Sequence, residues 1–247
     1  MSLAENKLEE KGTKAICKAL EQNKTLKELD ISGGYFSGSN IGGSAGAKHL
    51  AKMLGVNGAL TVANLLGNGL DEESTKMLAE VAKQKGISLC GIQRDQTTAD
   101  FSNQNLKPPD AILLASDLSQ AGVTGVLTAL DLSINELKNE GVSAVCEAIQ
   151  SNKETKLASL NMRRTNFGPV GAKSVAAMVT VTGSLTECNV CGNNLDSESA
   201  KKLAMIGTEK GIMLFGMKRD QKEATLPAST SKQQTPSSFR RTLSQAG

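Results

Sequence analysis

The sequence predicts an α/β solenoid with a curved parallel sheet on its inner face, helices outside, and an internal duplication. Three observations carry this reading. Residues 67–99 match residues 192–224 at a fixed offset of 125 without a gap, with 18 identities in 33 positions. Upstream, Gly46-Ala47-Lys48 pairs with Gly171-Ala172-Lys173 and Leu60-Thr61 with Leu185-Thr186 at the same offset. A shorter period lies inside each half, clearest at Leu127-Thr-Ala-Leu130-Asp-Leu132-Ser-Ile-Asn135-Glu-Leu137 and recurring with substitutions from Leu26, Leu60, Leu157 and Leu185. Finally, each unit changes periodicity in its middle: alternation with period two, the mark of a strand, gives way to helical spacing. Self-similarity at such a period is the signature of stacked repeat units.

The elements follow in order. The second apolar slot of each unit falls at Met1, Leu29, Ala63, Ala99, Leu130, Leu160, Cys188 and Ala224, at intervals of 28, 34, 36, 31, 30, 28 and 36 residues. The 34 reflects about six additional residues, Tyr35–Asn40. Helical spacing follows the slots, as in Gly141-Val142, Val145-Cys146 and Ile149, and again in Gly171, Val175-Ala176 and Val179. Asp71 ahead of Glu72-Glu73, and Pro108-Pro109-Asp110, are helix starts that suit the macrodipole, while Gly86 and Gly211 are helix stops. Segments 87–98 and 212–223 depart from the pattern, and Ile87–Gly91 and Ile212–Gly216 read as short extra strands followed by a turn. The chain opens at Met1 in mid-repeat without a polar cap. Either it is a piece of a longer protein, or that coil associates end-on with a partner.

These units resemble the ribonuclease-inhibitor-like class of leucine-rich repeats, best seen in LTALDLSINELKNEGVSAVCEAIQSN at 127–152. The resemblance covers residues 1–226 and implies a leucine-rich-repeat solenoid with two related halves, about 1–98 and 99–226. One strand-plus-helix unit cannot bury its apolar face alone, but stacked neighbours can. Aliphatic side chains at slots one, four, six and eleven then form a narrow continuous core. Asn6, Asn68, Asn135 and Asn193 are expected to turn inside their coils and satisfy backbone groups at the strand exits. Ala45, Ala47, Ala51, Ala172, Ala176 and Ala177 let helices approach the sheet closely. With no Trp, one Tyr and five Phe, the composition suits this Leu- and Ala-filled core better than an aromatic one.

Composition excludes several functions. Residues 227–247 contain Lys232, Arg240 and Arg241 and no acid, which accounts for the whole net charge of +3. The body, 1–226, is neutral, unlike the clustered basic excess of a nucleic-acid-binding domain, and it is too poor in aromatics to stack bases. The remaining segment, 227–247, is rich in Ser, Thr, Pro and Gln and reads as a disordered basic tail, in which Arg240-Arg241-Thr242-Leu243-Ser244 and Thr235-Pro236 resemble kinase substrates. No apolar run reaches the roughly 18 residues of a membrane span, and the N-terminus lacks a secretory layout. Five cysteines, an odd number, fit reduced thiols and a cytoplasmic location.

No catalytic, cofactor or metal site is expected. Cys188-Asn-Val-Cys191 has the C-x-x-C spacing, but the repeat register puts Cys188 in a core slot and Cys191 just past the strand. Cys17 and Cys146 share a helix position that suggests packing. His49 is the single histidine and reads as a surface residue, and Glu72-Glu73 as a first-turn pair. The glycine-rich stretch Gly33–Gly43 lacks the Gly-Lys-Ser/Thr ending of a phosphate loop. The expected site is a partner-binding inner face. Its members are Asp30, Asn64, Asp100, Asp131, Asn161 and Asn189, which follow the marker slot and point out of the sheet, with Ser2 extending the row. Arg163 and Arg164 stand at the rim, and Tyr35 and Phe36 serve as aromatic anchors in the inserted loop. The expected function is a non-enzymatic protein–protein interaction scaffold that binds neither nucleic acid nor membrane. The resemblance also implies an alternative, since GTPase-activating proteins of the Ran-activator type use repeats of this class, although no local motif here carries their functional residues.

Overall fold

Strand and helix alternate along the chain because each repeat passes from period-two to helical spacing. A computed structural model describes residues 1–34 and 38–215. Its elements are α1 (Glu9–Glu21), β1 (Glu28–Asp30), α2 (Gly43–Val56), β2 (Val62–Asn64), α3 (Glu72–Lys85), β3 (Thr98–Asp100), α4 (Pro108–Leu118), α5 (Ala121–Thr124), β4 (Ala129–Asp131), α6 (Lys138–Ser151), β5 (Ser159–Asn161), α7 (Pro169–Val181), β6 (Glu187–Asn189) and α8 (Ser197–Lys210). Every strand pair is parallel, and the marker slots pair with one another: Leu29 with Ala63, Ala99 with Leu130, Leu130 with Leu160, and Leu160 with Cys188. The Ser2–Asp30 bridge extends this register to Met1. All six marker residues on the named strands are buried, and the helices form a second layer in which each packs on the next, α5 apart.

The strands do not form one ladder. β1 and β2 make one sheet and β3–β6 another. The reason lies in the 36-residue interval between Ala63 and Ala99. Ser88 bridges to Val62, which brings Leu89 into register with Ala63, 26 residues after it. Leu89 is therefore a marker that the spacing series skipped, and only ten residues, with a turn at Gln93–Gln96, separate it from Ala99. A coil thus closes on Leu89 without a helix of its own. The same event recurs at the duplicated position, where Met213 bridges to Glu187 and aligns Leu214 with Cys188. The expected extra strands are isolated bridges, at Ser88 and Cys90 in the first half and at Met213 in the second, and the marker expected at Ala224 lies outside the described residues.

The helix layer runs through the break, since α3 packs on α4. One side chain ties the two sheets. Asp117, near the end of α4 and fully buried, accepts hydrogen bonds from the Ser88 hydroxyl (2.7 Å) and from the Leu89 and Cys90 amides (2.8 and 3.1 Å). Its carboxylate terminates the edge of the first sheet as a further strand would. Asp110, one helix face earlier, accepts from the amides of Lys107 and Gly67, so the expected first-turn acid of α4 is also a buried tie to the preceding coil.

Other local expectations hold where the geometry demands them. Asp71 caps α3 by accepting from the Ser74 amide, and Asp196 caps α8 through Ser199. Gly86 and Gly211 end these helices with φ of 65° and 67°, in the left-handed region that glycine enters without strain. Gly46 and Gly171 are required for close approach: a Cβ would stand 1.8 Å from the Ile41 carbonyl oxygen and 2.8 Å from Phe167 Cβ. Ala47, Ala51, Ala172 and Ala176 are buried as expected, and Ala45 is half-buried. Ala177 instead faces outward, being one helical step off the buried stripe.

Asparagines stitch coil to coil. Asn68, Asn135 and Asn193 each accept backbone N–H groups of one coil and donate to carbonyls on either side. Asn6 does not: it is exposed and donates only to the Ala4 carbonyl. Asn40 takes the stitching role for the first coils, donating to the Leu3 carbonyl and accepting from the Leu8 amide. A second asparagine row closes the helix ends. Asn57 donates to the Leu20 carbonyl and accepts from the Ala59 and Leu60 amides; Asn152 donates to the Leu118 carbonyl. At Thr182, the counterpart of Asn57 at the 125-residue offset, the hydroxyl is buried without a hydrogen-bond partner. Replacing Thr182 by Asn restores the longer reach. It is expected to stabilise the protein by about 1 kcal/mol in urea unfolding, and a loss of stability would show that the slot cannot hold the larger side chain.

Candidate partner-binding face

The strand face turned away from the helices is the candidate site. Alternation puts two residues of each strand on it, one before the marker and one after. In the second sheet the row after the marker is Asp100, Asp131, Asn161 and Asn189. The row before it is Thr98, Ala129, Ser159 and Glu187. Together with the backbone of the intervening markers they line a recess of about 290 Å³. A larger hollow of about 570 Å³ lies on the helix side between α6 and α7, walled by Glu147, Gln150, Lys153 and Val181 among others.

The Asp/Asn row has a structural cause. In all six strands the side chain after the marker accepts the backbone N–H two residues later: Asp30 from Ser32, Asn64 from Leu66, Asp100 from Ser102, Asp131 from Ser133, Asn161 from Arg163, and Asn189 from Cys191. These are Asx turns, and they bend the chain out of each short strand. The identity of the row as Asp or Asn is thus set by the fold. Asp100 illustrates the electrostatics, since the amide and hydroxyl of Ser102 hold its carboxyl below the usual carboxylate range. Asp131 also accepts from Asn161 Nδ2 at 2.9 Å, and Asp30 from the hydroxyls of Ser2 and Ser32.

The sequence-predicted residues do not form one patch. Asp100, Asp131, Asn161 and Asn189 share the second sheet, with Arg163 half-buried two residues beyond Asn161. Asp30 and Asn64 belong to the first sheet. Arg164 is exposed at a turn with φ of 53°, its stem lying over Gly192. Tyr35 and Phe36 lie outside the described residues, as does the tail 227–247. Sequence reasoning missed the row before the marker, including Ala129, Ser159 and Glu187. The alternation that exposed Asp131 would also have exposed Ala129.

The reactive residue types are placed elsewhere. All five cysteines are unpaired. Burial pushes the Cys17 and Cys188 thiols up to about 12 and raises Cys90, Cys146 and Cys191 as well, the reverse of an activated nucleophile. Cys188 fills its core slot, and Cys191 donates its thiol to the Phe215 carbonyl at 3.2 Å. His49 Nε2 lies 3.5 Å from Glu10 on the neighbouring helix. Glu72 pairs with Lys76 one turn on, which lowers its carboxyl. The amides of Asn40 and Ile41, in the glycine-rich stretch, are taken by Asn68. Among the described residues no group of three His, Cys, Asp or Glu is placed to hold a metal, and no helix is long and apolar enough to cross a membrane.

Known proteins share this repeat. A family model described as leucine-rich repeat matches residues 126–146. The chain is 28% identical over 204 residues to NACHT, LRR and PYD domains-containing protein 13 of Homo sapiens, covering 82% of this chain and 18% of that protein. It is 27% identical over 222 residues to NACHT, LRR and PYD domains-containing protein 9 of Bos taurus, covering 89% and 21%. The chain thus spans about a fifth of the length of these two relatives. With the ribonuclease inhibitor of Mus musculus the identity is 23% over 216 residues, 87% of this chain and 43% of that protein. The alternating helices, parallel marker-to-marker register and asparagine stitching agree with these matches: the chain folds as a leucine-rich-repeat solenoid and is similar to the ribonuclease-inhibitor-like class.

Proposed function

We propose that the chain is a non-enzymatic scaffold that binds partner proteins through the strand face of its solenoid, residues 1–226, and that 227–247 is a basic segment distinct from the repeats. The observation that carries this reading is the row before the marker in the second sheet. Thr98, Ala129, Ser159 and Glu187 are exposed or half-buried, none serves an Asx turn, and small side chains leave a recess among them. The fold leaves the identity of this row open, so its side chains are available for recognition. Asp100, Asp131, Asn161 and Asn189 border it, with Arg163 and Arg164 at the rim, while Asp30 and Asn64 offer a smaller surface on the first sheet. A surface held by stacked coils is preorganised, so docking orders little of the protein. The mouse relative is by name an inhibitor of a ribonuclease, which supports protein binding by repeats of this kind. Five unpaired cysteines support a reducing, cytoplasmic setting.

Site-specific photo-crosslinking tests the face. A photoreactive residue at Thr98 or Ser159 is expected to yield discrete protein adducts in the native cell, while one at the outward-facing Ala177 yields none. Equal labelling from all three positions, or adducts from Ala177 alone, would move the site off the strand face.

A further inference from the structure

The body of the chain carries as many bases as acids, yet its strands do not. The six strands contain Glu28, Asp30, Asp100, Asp131 and Glu187 and not one Lys or Arg. Within β3–β6 the three carboxylates surround the recess: Asp100 and Asp131 on one row, Glu187 on the other. Its floor is the small set Thr98, Ala129 and Ser159. Arg163, half-buried two residues beyond Asn161, and the exposed Arg164 follow β5 past the row. The protein satisfies these acids incompletely. Asp100 accepts from the amide and hydroxyl of Ser102 and Asp131 from the Ser133 amide and Asn161 Nδ2, whereas Glu187 receives only the Ser159 hydroxyl at 3.5 Å. Strands whose charge is one-signed within a neutral body attract and orient an oppositely charged partner.

We propose that the β3–β6 face docks an extended basic segment of a partner protein, with a Lys or Arg side chain seated in the recess over Ala129 between Asp100, Asp131 and Glu187. The inference rests on the scaffold reading above and adds the chemistry of the occupant. The small floor admits the aliphatic stem of such a side chain, and the carboxylates meet its charged head. Planar guanidinium gains most, because it can face two carboxylates at once.

The probe is a labelled Arg-Ser repeat peptide, with Lys-Ser, Gln-Ser and Glu-Ser versions of equal length, titrated against the full chain by fluorescence anisotropy. The Arg-Ser and Lys-Ser peptides are expected to bind, and the Gln-Ser and Glu-Ser peptides not to. Ala129→Arg, which fills the recess and sets a positive charge between its carboxylates, abolishes binding. Glu187→Gln weakens it about five-fold, the scale of one partly exposed charge pair, whereas Glu147→Gln on the helix side leaves it unchanged. Circular dichroism and a thermal melt confirm that Ala129→Arg folds; if it does not, Glu187→Gln against Glu147→Gln decides. Equal binding of the neutral peptide, equal loss in both Glu variants, or no binding of the basic peptides overturns the proposal. Adducts from Ser159 without basic-peptide binding would leave the scaffold reading standing and remove only this chemistry. Basic-peptide binding without adducts would overturn both, since the occupant proposed here is a segment of a partner protein.

Discussion

Asp117→Ala is expected to destabilise the protein by about 3 kcal/mol, because it strands the Leu89 amide and the Ser88 hydroxyl inside the fold and leaves the Cys90 amide only its longer bond to Ser88. The loss should be local before it is global. Hydrogen exchange at Leu89 rises first, since its amide ends the first sheet on Asp117, while the Cys90 amide keeps the Ser88 hydroxyl oxygen at 3.3 Å. The same residue predicts a pH effect. Burial raises its carboxyl from 3.8 to about 7, against the pull of the Ser88 hydroxyl and the Leu89 and Cys90 amides. A folded-state value above the unfolded one means that the folded protein holds the proton more tightly. Below about pH 4 both states are protonated and Asp117 exacts no penalty. Between about pH 4 and 7 the unfolded chain releases its proton while the folded one keeps it, so stability falls as pH rises, by about 4 kcal/mol across the window, and then levels off. Exposed carboxyls lowered in the fold, such as Asp196, act in the opposite direction. The informative quantity is therefore the difference between wild type and Asp117→Asn in urea unfolding at several pH values. Asparagine keeps one acceptor for Leu89 but turns an N–H toward Cys90, and it does not titrate. A stability difference that stays constant from pH 4 to pH 8 would show that Asp117 is ionised throughout.

Asp117 also marks where reading the sequence stops. The repeat was legible because its register is a translation: Leu29, Ala63, Ala99, Leu130, Leu160 and Cys188 had to be apolar at one depth, and within each sheet they pair in that order. The break between the sheets is not a translation. Ser88 and Asp117 meet across 29 residues at a junction that the duplication does not copy, since Met213 and Phe215 stand where Ser88 and Cys90 would recur. Neither a period nor an offset can reveal a contact that occurs once. The Asp/Asn row shows the opposite hazard. It was visible as a polar ladder and invited a wholly functional reading, yet each member is held by a turn amide. Ala129 and Ser159 carry more of the argument for recognition because no backbone bond explains them.

Asn135→Ala is expected to cost about 4 kcal/mol, and Asn6→Ala less than about 0.5 kcal/mol, although both asparagines occupy the same repeat slot. Asn135 is buried. Its Oδ1 accepts from the Gln104 and Leu106 amides (3.1 and 2.9 Å), and its Nδ2 donates to the Phe101 and Leu132 carbonyls (2.8 and 2.9 Å). These groups belong to the turn after β3 and the turn after β4, so one side chain fastens two coils. Alanine leaves two N–H groups and two carbonyls facing a cavity. Aspartate keeps the shape but sets a carboxylate against the Phe101 and Leu132 oxygens, and it should be no better than alanine. Asn6 makes one solvent-exposed bond to its own turn. Because each coil of a solenoid draws its stability from its neighbours, loss of the stitch at Asn135 should also reduce cooperativity. The urea transition is expected to broaden or split, with β3 and α4 parting from β4 and α6. Equal destabilisation by the two alanine variants, or an unbroadened transition in Asn135→Ala, would mean that aliphatic stacking alone holds the coils in register and that the asparagines are passengers.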